Sequence, residues 1–129
     1  MDKTRKIPRR QWKGYFDRFT KRHLRDDRAE AATIELLSPV LGDQVEVEGA
    51  RLLGISYDPR SESLEVLLEN VDHLVFRPNE IWVVEEADGF LPSAEIVRND
   101  GTKEILTVRR TGPLTVRSAT ALQARNSSG

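Results

Sequence analysis

Two histidines are the side chains best suited to acid–base chemistry in this sequence, because a histidine pKa lies near neutral pH. His23 falls on the apolar side of a predicted helix, together with Trp12, Phe16 and Phe19. A histidine on such a face is more often a packed residue, whose ring nitrogen meets a backbone carbonyl, than a buried general base. We therefore expect a structural role for His23.

The adjacent residues Asp72 and His73 are of the types that form an acid–base dyad. The segment "DHLVF" has the pattern of a β-strand, however, and neighbouring side chains of a strand point to opposite faces. The two groups therefore cannot easily share a proton. We interpret the pair as the start of a strand, with His73 near the surface on the face of Val75 and Arg77.

Signatures of metal, cofactor and nucleophile chemistry are weak. The chain has no Cys, two His and no HxH or HExxH spacing, so a transition-metal site would need carboxylates from distant strands. The stretch "DGFLPSAEIVRNDG" lacks the spacing of a calcium loop, and no serine stands in a GxSxG or SxxK context. Phosphate-binding glycine loops of the GxGxxG or GxxxxGK type are also missing. We expect no metal, no cofactor and no enzymatic activity.

Acidic and aromatic side chains alternate with aliphatic ones on the predicted strands. Six glutamates fit the solvated face of such strands: Glu46, Glu48, Glu65, Glu69, Glu85 and Glu86. Exposed aromatics such as Trp82 and Phe76 could stack on bases, but the acids beside Trp82 repel phosphate. We predict that both aromatic rings pack in the core.

Charge is unevenly distributed along the chain. Residues 1–28 contain eleven Lys and Arg against four Asp and Glu, a net charge of +7. Residues 29–108 contain five against seventeen, a net charge of −12, and residues 109–129 contain four Arg and no acid. The overall net charge of −1 therefore hides a basic start, an acidic body and a basic end.

The basic start is predicted to form a helix from Pro8 to about Leu24. Its aromatic residues fall on one stripe and most of its cations on the opposite side. A helix that covers a core with its apolar stripe turns its basic face outward. This face supplies the candidate partner-binding residues Arg9, Arg10, Arg18, Lys21, Arg22 and Arg25.

From residue 32 onward the pattern changes to short strands separated by turns. Leu64, Val66 and Leu68 alternate on one face, and Gly49 and Gly54 suggest bulges that bend a sheet. The stretch "RNDGTK" predicts a hairpin whose glycine adopts a positive φ. One helix followed by six or so short strands predicts an α+β fold: an N-terminal amphipathic helix packed on a strongly bent antiparallel sheet or small open β-barrel.

Three regions are predicted: a basic arm over residues 1–7, a single domain over 8–110 and a disordered tail over 111–129, which has few large apolar residues. The sequence shows neither a signal peptide nor an apolar run of the roughly 18 residues that a membrane span needs. We expect a soluble cytoplasmic protein.

Four stretches, "QWKGYFDRFTKRH", "GDQVEVEGARLLGISYD", "DHLVFRPNEIWV" and "DGTKEIL", resemble a family of small bacterial proteins catalogued as domain of unknown function 5335. The resemblance extends over roughly residues 7–110 and implies a small bacterial single-domain protein. It implies no catalytic activity.

These observations favour a non-enzymatic binding or interaction module with a macromolecular partner. The basic face could contact an acidic protein surface, including that of a second copy, or nucleic acid. The acidic body lies within a few Debye lengths, each about 8 to 10 Å in physiological salt, so it repels nucleic acid and attracts the basic face of another copy. We favour an acidic protein surface or self-association. A nucleic-acid-binding protein is the alternative, and an enzyme of unknown class ranks third.

Overall fold

The computed structural model describes residues 2–24 and 28–113, in which one α-helix and eight β-strands are formed. Helix α1 spans Trp12–His23 and follows a 3₁₀ turn at Arg9–Gln11. The strands are β1 Lys3–Lys6, β2 Arg28–Ser38, β3 Gly42–Asp58, β4 Ser63–Leu68, β5 Asp72–Phe76, β6 Pro78–Glu85, β7 Ser93–Arg98 and β8 Lys103–Pro113. No helix within the described ranges has the length and apolarity needed to cross a membrane.

The eight strands form one antiparallel sheet in the order β1-β6-β7-β8-β2-β3-β4-β5. Seven of them form two meanders, β2 to β5 and β6 to β8, joined by the ladder between β2 and β8, and β1 pairs with β6 at one edge. The chain passes from the edge strand β5 to β6, next to the opposite edge, through Arg77 alone, which has a φ of 54°. The two ends of the sheet therefore lie close together, although no ladder in the described part of the chain closes them. The predicted α+β fold with a bent, open sheet is confirmed.

Irregularities in β3 bend this sheet. Gly49 has a φ of 66°, and the pairing register with β2 shifts beside it. A further register shift lies between Leu52 and Gly54, where β3 pairs with β4. The predicted bulges are confirmed, and so is the β7–β8 hairpin, where Gly101 has a φ of 87°. A residue with a side chain is strained at that φ, which explains the glycine.

The core lies between α1 and the concave face of the sheet. Leu64, Val66 and Leu68 all point into it and are at most 2% exposed, as the alternation in the sequence predicts. Trp12 and Phe16 of α1 are each 1% exposed, because the aromatic stripe of the helix packs on this face. The helix therefore covers the core, and its opposite side faces solvent.

Several boundaries differ from those that the sequence predicts. Residues 3–6 of the predicted arm form β1, which pairs with β6. The helix begins at Trp12 rather than Pro8, and β2 already begins at Arg28, ahead of residue 32, where the sequence predicts the first strand. Residues 111–113 of the predicted tail complete β8, whereas residues 114–129 lie outside the described part. These strand ends depend on pairing with distant segments, which the local pattern does not show.

Candidate binding surface and pocket

The outward face of α1, together with the 3₁₀ turn before it, carries exposed cations. Arg10, Arg18, Lys21 and Arg22 are all exposed, and none of them forms an ion pair with another described residue. The remaining cation of the helix, Lys13, is paired with a carboxylate one turn away, at 2.9 Å. Four of the six candidate partner-binding residues are therefore free to interact with an external group.

The other two candidates differ from these four. The Arg9 guanidinium lies 4.6 Å from the centre of the Trp12 ring, and its Nη2 donates a 3.4 Å hydrogen bond to the carbonyl of Pro78. Arg9 therefore helps to hold the start of the helix against β6. Arg25 lies outside the described residues.

A pocket of about 210 Å³ opens beside the C-terminal half of α1. The helix forms one wall, and the paired strands β1 and β6 with the turn after β6 form the other. Phe19 and Gly89 also line the pocket. Its polar lining consists of Arg5, Tyr15, Arg18, Arg22, His23 and Glu85.

The carboxylate of Glu85 is the centre of a polar cluster in this pocket. It accepts hydrogen bonds from Arg5 at 2.9 and 3.2 Å and from the Tyr15 hydroxyl at 2.5 Å. Burial of Glu85 opposes ionisation, but the hydrogen bonds from Arg5 and Tyr15 outweigh it and lower the pKa of Glu85. Burial and the same carboxylate raise the pKa of Tyr15. The cluster therefore contains a carboxylate, a guanidinium and a neutral phenol at neutral pH.

His23 lines the same pocket. Its ring packs against Phe19 at 5.4 Å and Phe90 at 5.7 Å between centroids. Its Nε2 is buried and has no hydrogen-bond partner within the described part of the chain. Burial lowers the pKa of His23, the Asp88 carboxylate opposes this shift, and Arg110 adds to it. The imidazole is therefore neutral near pH 7, with one unsatisfied nitrogen.

A second polar cluster connects β5 with β7 and β8. Glu104 is 2% exposed and accepts hydrogen bonds from Nε2 of His73 at 2.5 Å and from Arg98 at 2.7 Å. Burial opposes ionisation of Glu104, but these two donors outweigh it and lower its pKa. Asp72 is exposed and points away from His73, as predicted. The predicted surface position of His73 is wrong, because the bent sheet brings β5 close to β8.

Three other predictions for the strands are wrong. Phe76 is 62% exposed on β5, and Trp82 is 37% exposed, with its indole donating to Glu80 at 3.0 Å. Ile81 occupies an inward position of β6. Because side chains alternate between the two faces of a strand, the next residue, Trp82, faces outward. Glu85 is half-buried in the pocket rather than solvated. Among the described residues, no group of three His, Asp or Glu side chains is arranged to hold a metal ion.

The fold and its surface define a small α+β domain, in which one helix covers an open eight-stranded antiparallel sheet. The chain belongs to a family of unknown function, DUF5335, whose family model matches residues 3–117. An uncharacterized protein of Aquifex aeolicus (strain VF5) is 41% identical over 112 residues, which cover 86% of this chain and 96% of that relative. No solved structure matches the chain. The family resemblance drawn from the sequence is confirmed, and the match includes β1.

Proposed function

We propose that this chain is a non-enzymatic binding module that contacts an acidic protein surface through the outward face of α1. The observation that carries this proposal is the set of exposed cations on α1 and the 3₁₀ turn before it, Arg10, Arg18, Lys21 and Arg22, without carboxylate partners in the described structure. Long-range attraction by such a face speeds encounter with an acidic partner and weakens as salt is added.

The surroundings of this face favour protein over nucleic acid. Lys21 borders a shallow depression that also contains Leu53 and Leu67, which are 38% and 37% exposed. Leu74, diagonal to Leu67 on the adjacent strand, is 44% exposed. Apolar side chains beside a polar rim are typical of protein interfaces, whereas nucleic-acid sites are dominated by cations.

A second copy of the chain offers a suitable acidic surface. The β2–β3 hairpin carries the exposed side chains of Asp43, Glu46 and Glu48. Residues 29–108 as a whole have a net charge of −12, which repels phosphate backbones. We therefore propose weak, salt-sensitive self-association between the α1 face of one copy and the acidic hairpin of another.

The experiment compares two variants that change the net charge equally. Arg10→Glu with Lys21→Glu alters the α1 face outside the pocket, and Arg60→Glu with Arg109→Glu alters exposed cations elsewhere. Sedimentation velocity at low and at physiological salt measures self-association, and fluorescence anisotropy measures binding of a labelled oligonucleotide.

We expect the parent to associate at low salt, the α1 variant to remain monomeric and the control to associate like the parent. A parent that is monomeric even at low salt contradicts the proposal. If the parent and the control bind the oligonucleotide with sub-micromolar affinity and the α1 variant does not, the partner of this face is nucleic acid rather than protein.

A further inference from the structure

We infer that the pocket between α1 and the β1–β6 ladder binds a dianionic phosphate group, either inorganic phosphate or the terminal phosphate of a small monoester. The inference shares Arg18 and Arg22 with the proposed function but does not rest on it, because Arg10 and Lys21, the residues that test that function, do not line this pocket. A space of about 210 Å³ is suited to one such group rather than to a polymer.

The charges of the lining suit a dianion. Three arginines and one glutamate line the pocket, which gives a net charge of +2 when His23 is neutral. Arg5 is engaged by Glu85, whereas Arg18 and Arg22 have no carboxylate partner among the described residues. These two are one helical turn apart, so their guanidinium groups can reach the same ligand. A carboxylate or a phosphodiester carries one negative charge and leaves one positive charge uncompensated.

The pocket also contains an unsatisfied polar atom. A buried side-chain nitrogen without a hydrogen bond is rare in folded proteins and is usually satisfied by a water or a ligand. His23 Nε2 is such an atom in the described structure. The neighbouring Gly89 has no side chain, and a Cβ added there would lie 3.5 Å from Nε2. A phosphate oxygen, directly or through a water, would supply the missing partner.

The carboxylates near the pocket do not exclude an anion, because cations or hydrogen-bond donors already hold them. Glu85 accepts hydrogen bonds from Arg5 and Tyr15. Asp88, whose carboxylate opposes the lowering of the His23 pKa, forms an ion pair with Arg110 at 3.0 Å. Arg18 and Arg22 are therefore the charged groups left for a ligand.

The test follows the imidazole resonances of His23 by NMR while the full chain is titrated at constant ionic strength. The four probes are inorganic phosphate, phenyl phosphate as a monoester, dimethyl phosphate as a diester, and acetate. The variant is Arg18→Gln with Arg22→Gln, and the control is Arg10→Gln with Lys21→Gln, which changes the net charge equally. If the double variant does not fold by circular dichroism, Arg22→Gln alone takes its place.

We expect saturable shifts with phosphate and phenyl phosphate, and much weaker binding of dimethyl phosphate and acetate. The pocket variant should lose affinity roughly tenfold or more, because a charge-assisted hydrogen bond contributes at least the ~1.4 kcal/mol that corresponds to a factor of ten. The control should bind like the parent. Tighter binding of phenyl phosphate than of phosphate indicates a monoester as the ligand, and the reverse indicates the inorganic ion.

Three results overturn the inference. They are shifts that do not saturate, acetate or dimethyl phosphate binding as tightly as phosphate, and equal losses of affinity in the pocket variant and the control. The last result means that phosphate senses only the general positive charge of α1. Because the pocket variant leaves Arg10 and Lys21 intact, none of these results decides whether the α1 face binds protein.

Discussion

Replacement of Thr20 by Val tests how α1 is attached to the sheet. The Thr20 hydroxyl accepts a 2.9 Å hydrogen bond from the amide of Ile55 and donates another of 2.9 Å to the carbonyl of the same residue. On one side Ile55 pairs with Val66 of β4. On the other side the Thr20 hydroxyl, rather than a neighbouring strand, satisfies its backbone amide and carbonyl. Valine has nearly the same shape as threonine but cannot form either bond.

The expected loss follows from these two hydrogen bonds. Each contributes a net ~0.5–1.5 kcal/mol, so the pair contributes about 1–3 kcal/mol. Thr20 is half-buried, so water can partly replace the hydroxyl, and a loss of about 1–2 kcal/mol is expected. Thr20→Ser is the matched control, because it keeps the hydroxyl and removes one methyl group, which contributes at most about 0.8 kcal/mol.

Urea unfolding of the parent and both variants measures these differences, with the slope of the transition compared to verify that the same surface is exposed. A Thr20→Val variant whose free energy of unfolding falls by less than about 0.5 kcal/mol, the usual range for surface substitutions, refutes a stabilising role of these hydrogen bonds. That role is also refuted if Thr20→Ser loses as much as Thr20→Val, because the methyl group rather than the hydroxyl then stabilises the contact.

Three further substitutions test the core, the hairpin and the buried cluster. Phe16→Ala should lower the free energy of unfolding by about 3–5 kcal/mol, since it removes a large buried aromatic ring, and an unchanged melting temperature contradicts the core position. Gly101→Val should cost at least about 1 kcal/mol by urea unfolding, because its φ of 87° strains a branched residue, and full tolerance contradicts the hairpin. The lowered pKa of Glu104 means that its ionised form stabilises the fold above the ordinary glutamate pKa, and this contribution is lost as the pH falls through the lowered value. Glu104→Gln should therefore flatten the acid side of a stability–pH profile, whereas Glu48→Gln, on the exposed hairpin, should leave it unchanged.

Features that depend on local periodicity could be predicted from the sequence. The aromatic stripe of α1 and the inward residues Leu64, Val66 and Leu68 repeat at the spacing of a helix and of a strand, so the pattern alone assigns their buried face. Trp82 shows the limit of this reasoning. In the continuous run "EIWVVEE" either parity could face the core, and only the sheet register places Ile81 inward and Trp82 outward.

For the same reason, only some residues of the candidate site could be predicted from the sequence. Arg18 and Arg22 could be identified because both are cations of one predicted helix. Arg5 and Glu85 could not, since the ladder between β1 and β6 joins residues that are 80 positions apart. His73 and Glu104 meet only because the sheet bends, and no short motif records that contact.

An NMR dilution series of the ¹⁵N-labelled chain at low salt tests most directly whether the outward face of α1 is a binding surface. If it binds the acidic hairpin of a second copy, amide resonances should shift with concentration along residues 10–22 and along 42–48, and added salt should reverse the shifts. Concentration-dependent shifts confined to other strands, or none at all, would contradict the claim that these cations form the interface.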